Sequence, residues 1–216
     1  MIKIENVETY GWEAAVRGMR NPMNSWERSD SGYKPVICPP CNDERVEFVV
    51  GKADHDLMMK LAKAGSVHAK YRRMITVTVD ITAPLYWWKE FDTYKVGTVA
   101  NSCSTMHKIH EKEFELSDFS WERLNERSLR VLEAVIDQLN ESRQLFLASG
   151  KDKTFWWQMI QLLPSSYEQR RTIQMNYETL VGMYRDRHNH KLDEWQALCR
   201  WIKTLPYSEL ITGEEA

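Results

Sequence analysis

The chain has 216 residues, 43% hydrophobic and 28% charged, which suits one globular domain or at most two small ones. Twenty-nine basic residues against 31 acidic ones leave a net charge of -2, so no global basic field exists to hold nucleic acid or an anionic membrane. Only 9 Gly and 7 Pro exclude collagen-like and low-complexity classes, and no apolar run approaches the ~18 residues of a membrane span. The start, MIKIENVETYGWEAAV, lacks the apolar core of a signal peptide, so cytoplasmic placement is expected.

In chain order, Ile2-Lys-Ile-Glu5 reads as a short strand and residues 11–20 as a short helix. Residues 21–44 are polar and Pro-containing and read as a long loop or arm, extending to about residue 45. Val46–Val50 has strand composition. Residues 54–64 read as a helix, with Asp54 as N-cap and Gly65 at the C-terminal cap. Met74–Ile81 alternates Ile and Val with Thr and Asp, the pattern of a strand with one buried face. Ala83-Pro84 then opens a helix with body LYWWKEFDTY, Pro standing at a tolerated first-turn position. Residues 96–107, small and polar, read as a loop suited to holding a ligand. A long helix is expected over 119–148, a further apolar helix or turn over 153–162, and helices over 176–186 and 190–203. The sum is a single domain over 1–216 of class α+β, a small antiparallel sheet with a mostly helical remainder.

No strong local enzyme motif occurs: no P-loop, G-x-G-x-x-G, nucleophile elbow or H-E-x-x-H. Cys38-Pro-Pro-Cys41 has a suggestive spacing, but it lies in a Pro-rich stretch without two further ligands, and reads as two reduced cysteines. His188-x-His190 is too few ligands for a metal. Nine Trp, four of them in the doublets Trp87-Trp88 and Trp156-Trp157, require a core, an interface or a ligand to cover them.

The order of segments is more specific than any one of them. A G-x-x-H, a strand, Ala-Pro with a helix, a loop holding Asn and Ser, and a long helix follow one another. Leu163-Pro164, Asn176, Arg187, His190 and Glu194 come after. Over roughly residues 50–205 this resembles the flavin-dependent thymidylate synthase family, ThyX. APLYWWKEF (83–91) is similar to the helix preceding that family's R-H-R-x7-S signature. The resemblance implies binding of FAD and of dUMP in a site shared between subunits of a homotetramer. It also implies one-carbon transfer from methylenetetrahydrofolate with a hydride from reduced flavin and NADPH as co-substrate. No nucleic-acid or membrane partner is implied. Carried over residue by residue, it puts Ser104 at the signature serine as catalytic and substrate-binding, and Arg187 on the nucleotide. His68, Lys95, Asn101 and Asn176 fall to the flavin cofactor, Lys95 as the best remaining basic group for its phosphates.

The departures have a physical meaning. Thr93-Tyr94-Lys95 (or Tyr94-Lys95-Val96) stands where R-H-R is expected, Ser102 where the Glu is, and Met106 and Ile160 where arginines are. A hydrogen bond to a charged group contributes about 1.5–3 kcal/mol, so losing several costs orders of magnitude in affinity unless other groups substitute. Candidate substitutes are Lys95, His107, Lys108, Arg72, Arg73 and Arg170. Two readings follow: a divergent synthase, or a nucleotide-binding or interaction protein on the same fold without the chemistry. Asn176 also reads as a plain helix N-cap, Ser104 and Asn101 as turn residues, His68 as a cap of the helix ending at Gly65, and Arg187 as an ion-pair partner of Glu194 or Asp193.

Overall fold

The computed structural model describes residues 2–38 and 43–214. The Cys38-x-x-Cys41 pair lies outside them, apart from the main chain of Cys38. The chain runs β1 (Lys3–Tyr10), α1 (Trp12–Arg20), β2 (Gly32–Cys38), β3 (Asp43–Val49), α2 (Lys52–Lys63), β4 (Thr76–Pro84) and α3 (Leu85–Phe91). It continues with β5 (Thr98–Ser102), α4 (Glu126–Ala148), α5 (Lys153–Leu162), β6 (Glu168–Asn176), α6 (Tyr177–Arg187), α7 (Asp193–Ile202) and α8 (Glu209–Thr212). This is the α+β arrangement expected from the sequence, with helices making up most of what lies outside the sheets.

The main sheet has strand order β1-β4-β6-β5, and β2 and β3 form a separate antiparallel pair. Two hydrogen bonds fix β6 against β4: Leu85 N donates to Tyr167 O at 3.0 Å, and Tyr177 N to Ile75 O at 3.0 Å. As one strand advances the other retreats, which makes the pair antiparallel. β4 keeps the expected alternation, with Val77, Val79, Ile81 and Ala83 fully buried and Thr76, Thr78, Asp80 and Thr82 half-buried.

Compactness divides the described chain into two units. One comprises residues up to Glu5, Asp80–Thr93 and Ala100–Ile173; the other Asn6–Val79, Tyr94–Val99 and from Gln174 on. In the first unit, α4 lays Leu132, Ile136, Leu139 and Phe146 on Ile109, Phe114, Phe119 and Met159. Trp87 and Trp88 are buried there too, packed edge to face at 4.8 Å, so the first tryptophan doublet is core. In the second unit, Tyr177, Leu180, Met183, Trp195, Leu198 and Ile202 from α6 and α7 are buried.

Several boundaries differ from the sequence reading, each for a local reason. The long helix begins at Glu126 rather than 119, because Asn125 caps it by accepting from Ser128 N at 2.9 Å. Pro84 closes β4 in an extended conformation and serves as N-cap of α3 rather than sitting in its first turn. β5 occupies part of the stretch 96–107 read as loop. The stretch 21–44 read as a loop holds two short 3-10 turns, Asn21–Met23 and Trp26–Arg28, and then β2.

What organises that stretch is Asp54. It is not the N-cap of α2, which begins two residues earlier with Gly51 at the cap position. Asp54 is fully buried and accepts Arg20 Nε on one oxygen at 2.6 Å. Its other oxygen takes Ser29 Oγ, Ser31 Oγ and the main-chain N–H of Asp30 and Ser31. Arg20 in turn donates to the carbonyls of Ser25 and Arg28. The cap of α2 comes from afar: Asp30 accepts from Ala53 N at 2.8 Å and Asp54 N at 3.1 Å. Gly51 permits that approach, since a Cβ there would lie 2.3 Å from the Asp30 carboxylate.

Burial pushes the Asp54 carboxyl up, but hydrogen bonds from Ser31, Ser29 and Arg20 outweigh it and hold the group below its ordinary value. The stability this provides is present above the unfolded carboxylate pKa of about 3.9 and is lost as pH falls through the lower folded value. Replacing Asp54 by Ala leaves a buried unpaired guanidinium and is expected to cost about 3–5 kcal/mol by urea denaturation at neutral pH. Asp54→Asn should also flatten the acid limb of the stability–pH curve; a variant with the wild-type acid limb would show that Asp54 does not carry this term.

Candidate functional site

In the first unit, the Ser104 loop is held from three directions. Cys103 N donates to Arg170 O at 2.9 Å, and Gln169 Nε2 donates to Cys103 O at 2.7 Å, so β6 grips residue 103 by both its polar main-chain groups. Trp156 Nε1 donates to Met106 O at 2.9 Å from α5. Within the turn, Ser104 Oγ accepts from His107 N at 2.9 Å, the turn bond that the sequence allowed for. Ser104 and Asn101 are both exposed.

Gln169 is in turn fixed by its neighbours. Its Oε1 accepts from Arg171 Nε at 3.0 Å, and its carbonyl accepts from Trp88 Nε1 at 2.9 Å. The Arg171 guanidinium lies 4.2 Å from the centre of the Trp88 ring and pairs with Asp92 at 2.7 Å. Arg170, one of the candidate substitutes for the missing arginines, pairs with Asp80 at 2.7 Å and Glu5 at 3.5 Å. Asp80 also accepts from Thr172 Oγ1 at 2.5 Å. Ile160, where an arginine was expected, packs on the core cluster together with Trp156. Trp157 remains 48% exposed, its ring edge-on to Trp156 at 4.7 Å.

In the second unit, Arg187 at the end of α6 donates Nε to Tyr94 OH at 2.9 Å. Its guanidinium lies 4.7 Å from the Trp195 ring centre and 5.6 Å from that of Tyr94. Tyr94 occupies the segment where the R-H-R triplet was expected, and what it contributes is a phenol that holds Arg187.

Asn176 ends β6 and caps α6: its Oδ1 accepts from Thr179 N at 3.0 Å and from Thr179 Oγ1 at 3.2 Å. The cap reading is therefore correct, and Nδ2 keeps no hydrogen-bond partner among the described residues. Thr179 Oγ1 also donates to Val96 O at 3.0 Å, drawing the 94–99 segment onto the start of α6. Gly97 has φ +77, and a Cβ there would lie 2.5 Å from Asn176 Nδ2. Lys95 is exposed and makes no ion pair among the described residues, and His68 is exposed, with its main-chain N–H donating to Gly65 O at 3.0 Å. Arg72 is buried, 3.7 Å from Glu178, and is thus not available to an exposed ligand. Lys108 pairs with Glu111.

The structure thus brings Lys95, Gly97 and Asn176 together in one unit, with Arg187 at the other end of α6, and places Asn101 and Ser104 on one held loop in the other unit. Sequence reasoning missed Gln169, Arg171, Trp156 and Tyr94 as supporting residues. Among the described residues no group of three His, Cys, Asp or Glu side chains is placed to hold a metal, and no helix is long and apolar enough to cross a membrane.

No protein-family model and no curated protein matches the chain. Solved structures do. Thymidylate synthase X (ThyX) from Helicobacter pylori, crystallised with FAD and dUMP, is 18% identical over 99% of this chain and 98% of its own, with a TM-score of 0.68. A second crystal structure of the Helicobacter pylori flavin-dependent thymidylate synthase, complexed with FAD and dUMP, is 19% identical over 97% and 98%, with a TM-score of 0.65. The UMP/dUMP methylase PolB from Streptomyces cacaoi, bound with 5-Br dUMP, is 15% identical over 99% and 95%, with a TM-score of 0.63. The chain has the fold of these proteins.

The double role of Asn176 makes a separable prediction. Asn176→Ala should destabilise the fold by about 0.5–2 kcal/mol through loss of the cap, read as a lower denaturation midpoint. Asn176→Asp keeps the capping oxygen and should stay near wild-type stability; equal destabilisation by both would mean that the cap is not what the side chain contributes. Gly97→Ala should lower stability as well, because it pairs a left-handed φ with a clash on Asn176.

Proposed function

We propose that this protein binds a uridine-type 5′-monophosphate, dUMP by preference, together with FAD, and methylates the uracil ring with the one-carbon unit of methylenetetrahydrofolate, NADPH supplying the reducing equivalents. The observation that carries the reading is the likeness in fold, along almost the whole of both chains, to three structures that hold dUMP or its 5-bromo analogue. Two local features agree with it. Arg187 is a guanidinium ordered in advance by Tyr94 and the Trp195 ring, suited to a phosphate. Ser104 is displayed on a loop tied at residues 103 and 106.

The residues also fit the cofactor. A flavin dinucleotide presents a pyrophosphate, and the Lys95 ammonium, the unpartnered Nδ2 of Asn176 and the close backbone at Gly97 offer cationic and neutral donors to it. Lys95, Asn176 and His68 would hold it. When bound and reduced, FAD would supply the hydride that takes the transferred methylene to the methyl level. The chain's own part is to bind and orient, in a site shared between subunits: Arg187 would meet a phosphate, and Ser104 a polar atom of the nucleotide. We expect the working unit to be a homo-oligomer, a tetramer as in the resemblance.

One observation favours a second reading, a nucleotide-binding protein without the chemistry. Arg170 and Arg171 are paired with carboxylates, Arg72 is buried on Glu178, and Ile160 is packed on the core. The two are told apart by the absorbance of the purified protein and by methylation of dUMP with reduced flavin and methylenetetrahydrofolate. Flavin absorbance and product support the first; dUMP binding with neither supports the second. In either case Arg187→Ala should weaken dUMP binding about 10- to 100-fold by calorimetry while the protein remains folded, given the 1.5–3 kcal/mol of a charged hydrogen bond. Unchanged affinity would remove Arg187 from the site.

A further inference from the structure

We infer that Gln169 and Trp156 are positioning residues that hold the turn on which Ser104 presents its hydroxyl to a polar atom of the nucleotide. The inference rests on the nucleotide reading above and adds to it two residues.

A serine hydroxyl has one proton and two lone pairs. Ser104 Oγ already accepts from His107 N at 2.9 Å, and that contact cannot use the hydroxyl proton, since both groups would then be donors. The proton is left to point elsewhere. The hydroxyl is exposed, with no second hydrogen bond among the described residues, so its proton and its second lone pair stay open to a ligand.

The turn can present that hydroxyl in one direction only if its main chain is held. Exposed turns of small polar residues are ordinarily mobile. Here the carbonyl of Cys103 takes Gln169 Nε2 at 2.7 Å, and the carbonyl of Met106 takes Trp156 Nε1 at 2.9 Å, one on each side of Ser104. Both donors are themselves held by neighbours. Gln169 is buried and braced by Arg171 and through its carbonyl by Trp88. Trp156 packs against the α4–α5 core cluster. An indole N–H on a ring with two torsions is a low-entropy clamp. This also accounts for a tryptophan just ahead of Leu163-Pro164: its ring covers the core and its N–H reaches the loop.

The test uses Trp156→Phe, which keeps the ring and removes the N–H, and Gln169→Met, which keeps length and removes the amide. Two readouts are needed on the full-length protein. Amide hydrogen exchange should rise at least tenfold for residues 103–107 in each variant, with α4 unchanged. Calorimetry with dUMP should show affinity at least tenfold weaker, matching Ser104→Ala, with the denaturation midpoint close to wild type. Unchanged exchange over 103–107 overturns the clamp whatever the affinity. Faster exchange with unchanged dUMP affinity overturns its role in positioning Ser104. If the wild-type protein binds no dUMP, the nucleotide reading fails and with it the positioning of Ser104 for a nucleotide; the exchange data then decide the clamp alone.

Discussion

The antiparallel register of β6 is the constraint on which the other features depend. Pairing Tyr167 with Leu85 at one end and Ile75 with Tyr177 at the other sets which β6 residues face inward. It brings Gln169 and Arg171 to Trp88, Arg170 and Thr172 to Asp80, and leaves Asn176 at the strand's end as a helix cap. A slip of one residue would exchange the two faces. Cys103 would lose the partners it has on β6, and Asp80 would lose Arg170 and Thr172. The Ser104 loop and the start of α6 are each built on this one strand, within their own units.

Charge has been redistributed around this strand. Arg170 and Arg171 are engaged with Asp80, Glu5 and Asp92, and the phenol of Tyr94 orders Arg187. Aromatic rings take over the ordering of guanidinium groups, Trp88 under Arg171 and Trp195 under Arg187.

Much of the fold could be read from the residues. β4 was plain because both faces obey a period of two, and α6 because Asn176 precedes a clean helical run. β6 was not, because two of its inward positions are Gln169 and Arg171, and a polar residue that faces inward erases the alternation. Gln169 became invisible with it. The stretch 21–44 reads as loop since its order comes from Asp54 and Arg20, more than 20 residues apart from each other and joined only in the fold. Ser104, Asn101, Lys95, His68, Asn176 and Arg187 come from the family resemblance carried over residue by residue. What supports them, Tyr94, Gln169 and Trp156, makes contacts 50 to 93 residues distant that no local pattern encodes. The tryptophan excess resolves in the same way: one doublet is core, and the other divides into Trp156, half-buried with its N–H on a loop, and Trp157, exposed.

The most direct measurement is a crystal structure of the protein grown with dUMP and FAD. The account predicts nucleotide density with its phosphate on an Arg187 guanidinium, the loop 103–106 unchanged in conformation. Nucleotide bound away from Arg187, or crystals without nucleotide from saturating dUMP, would contradict it.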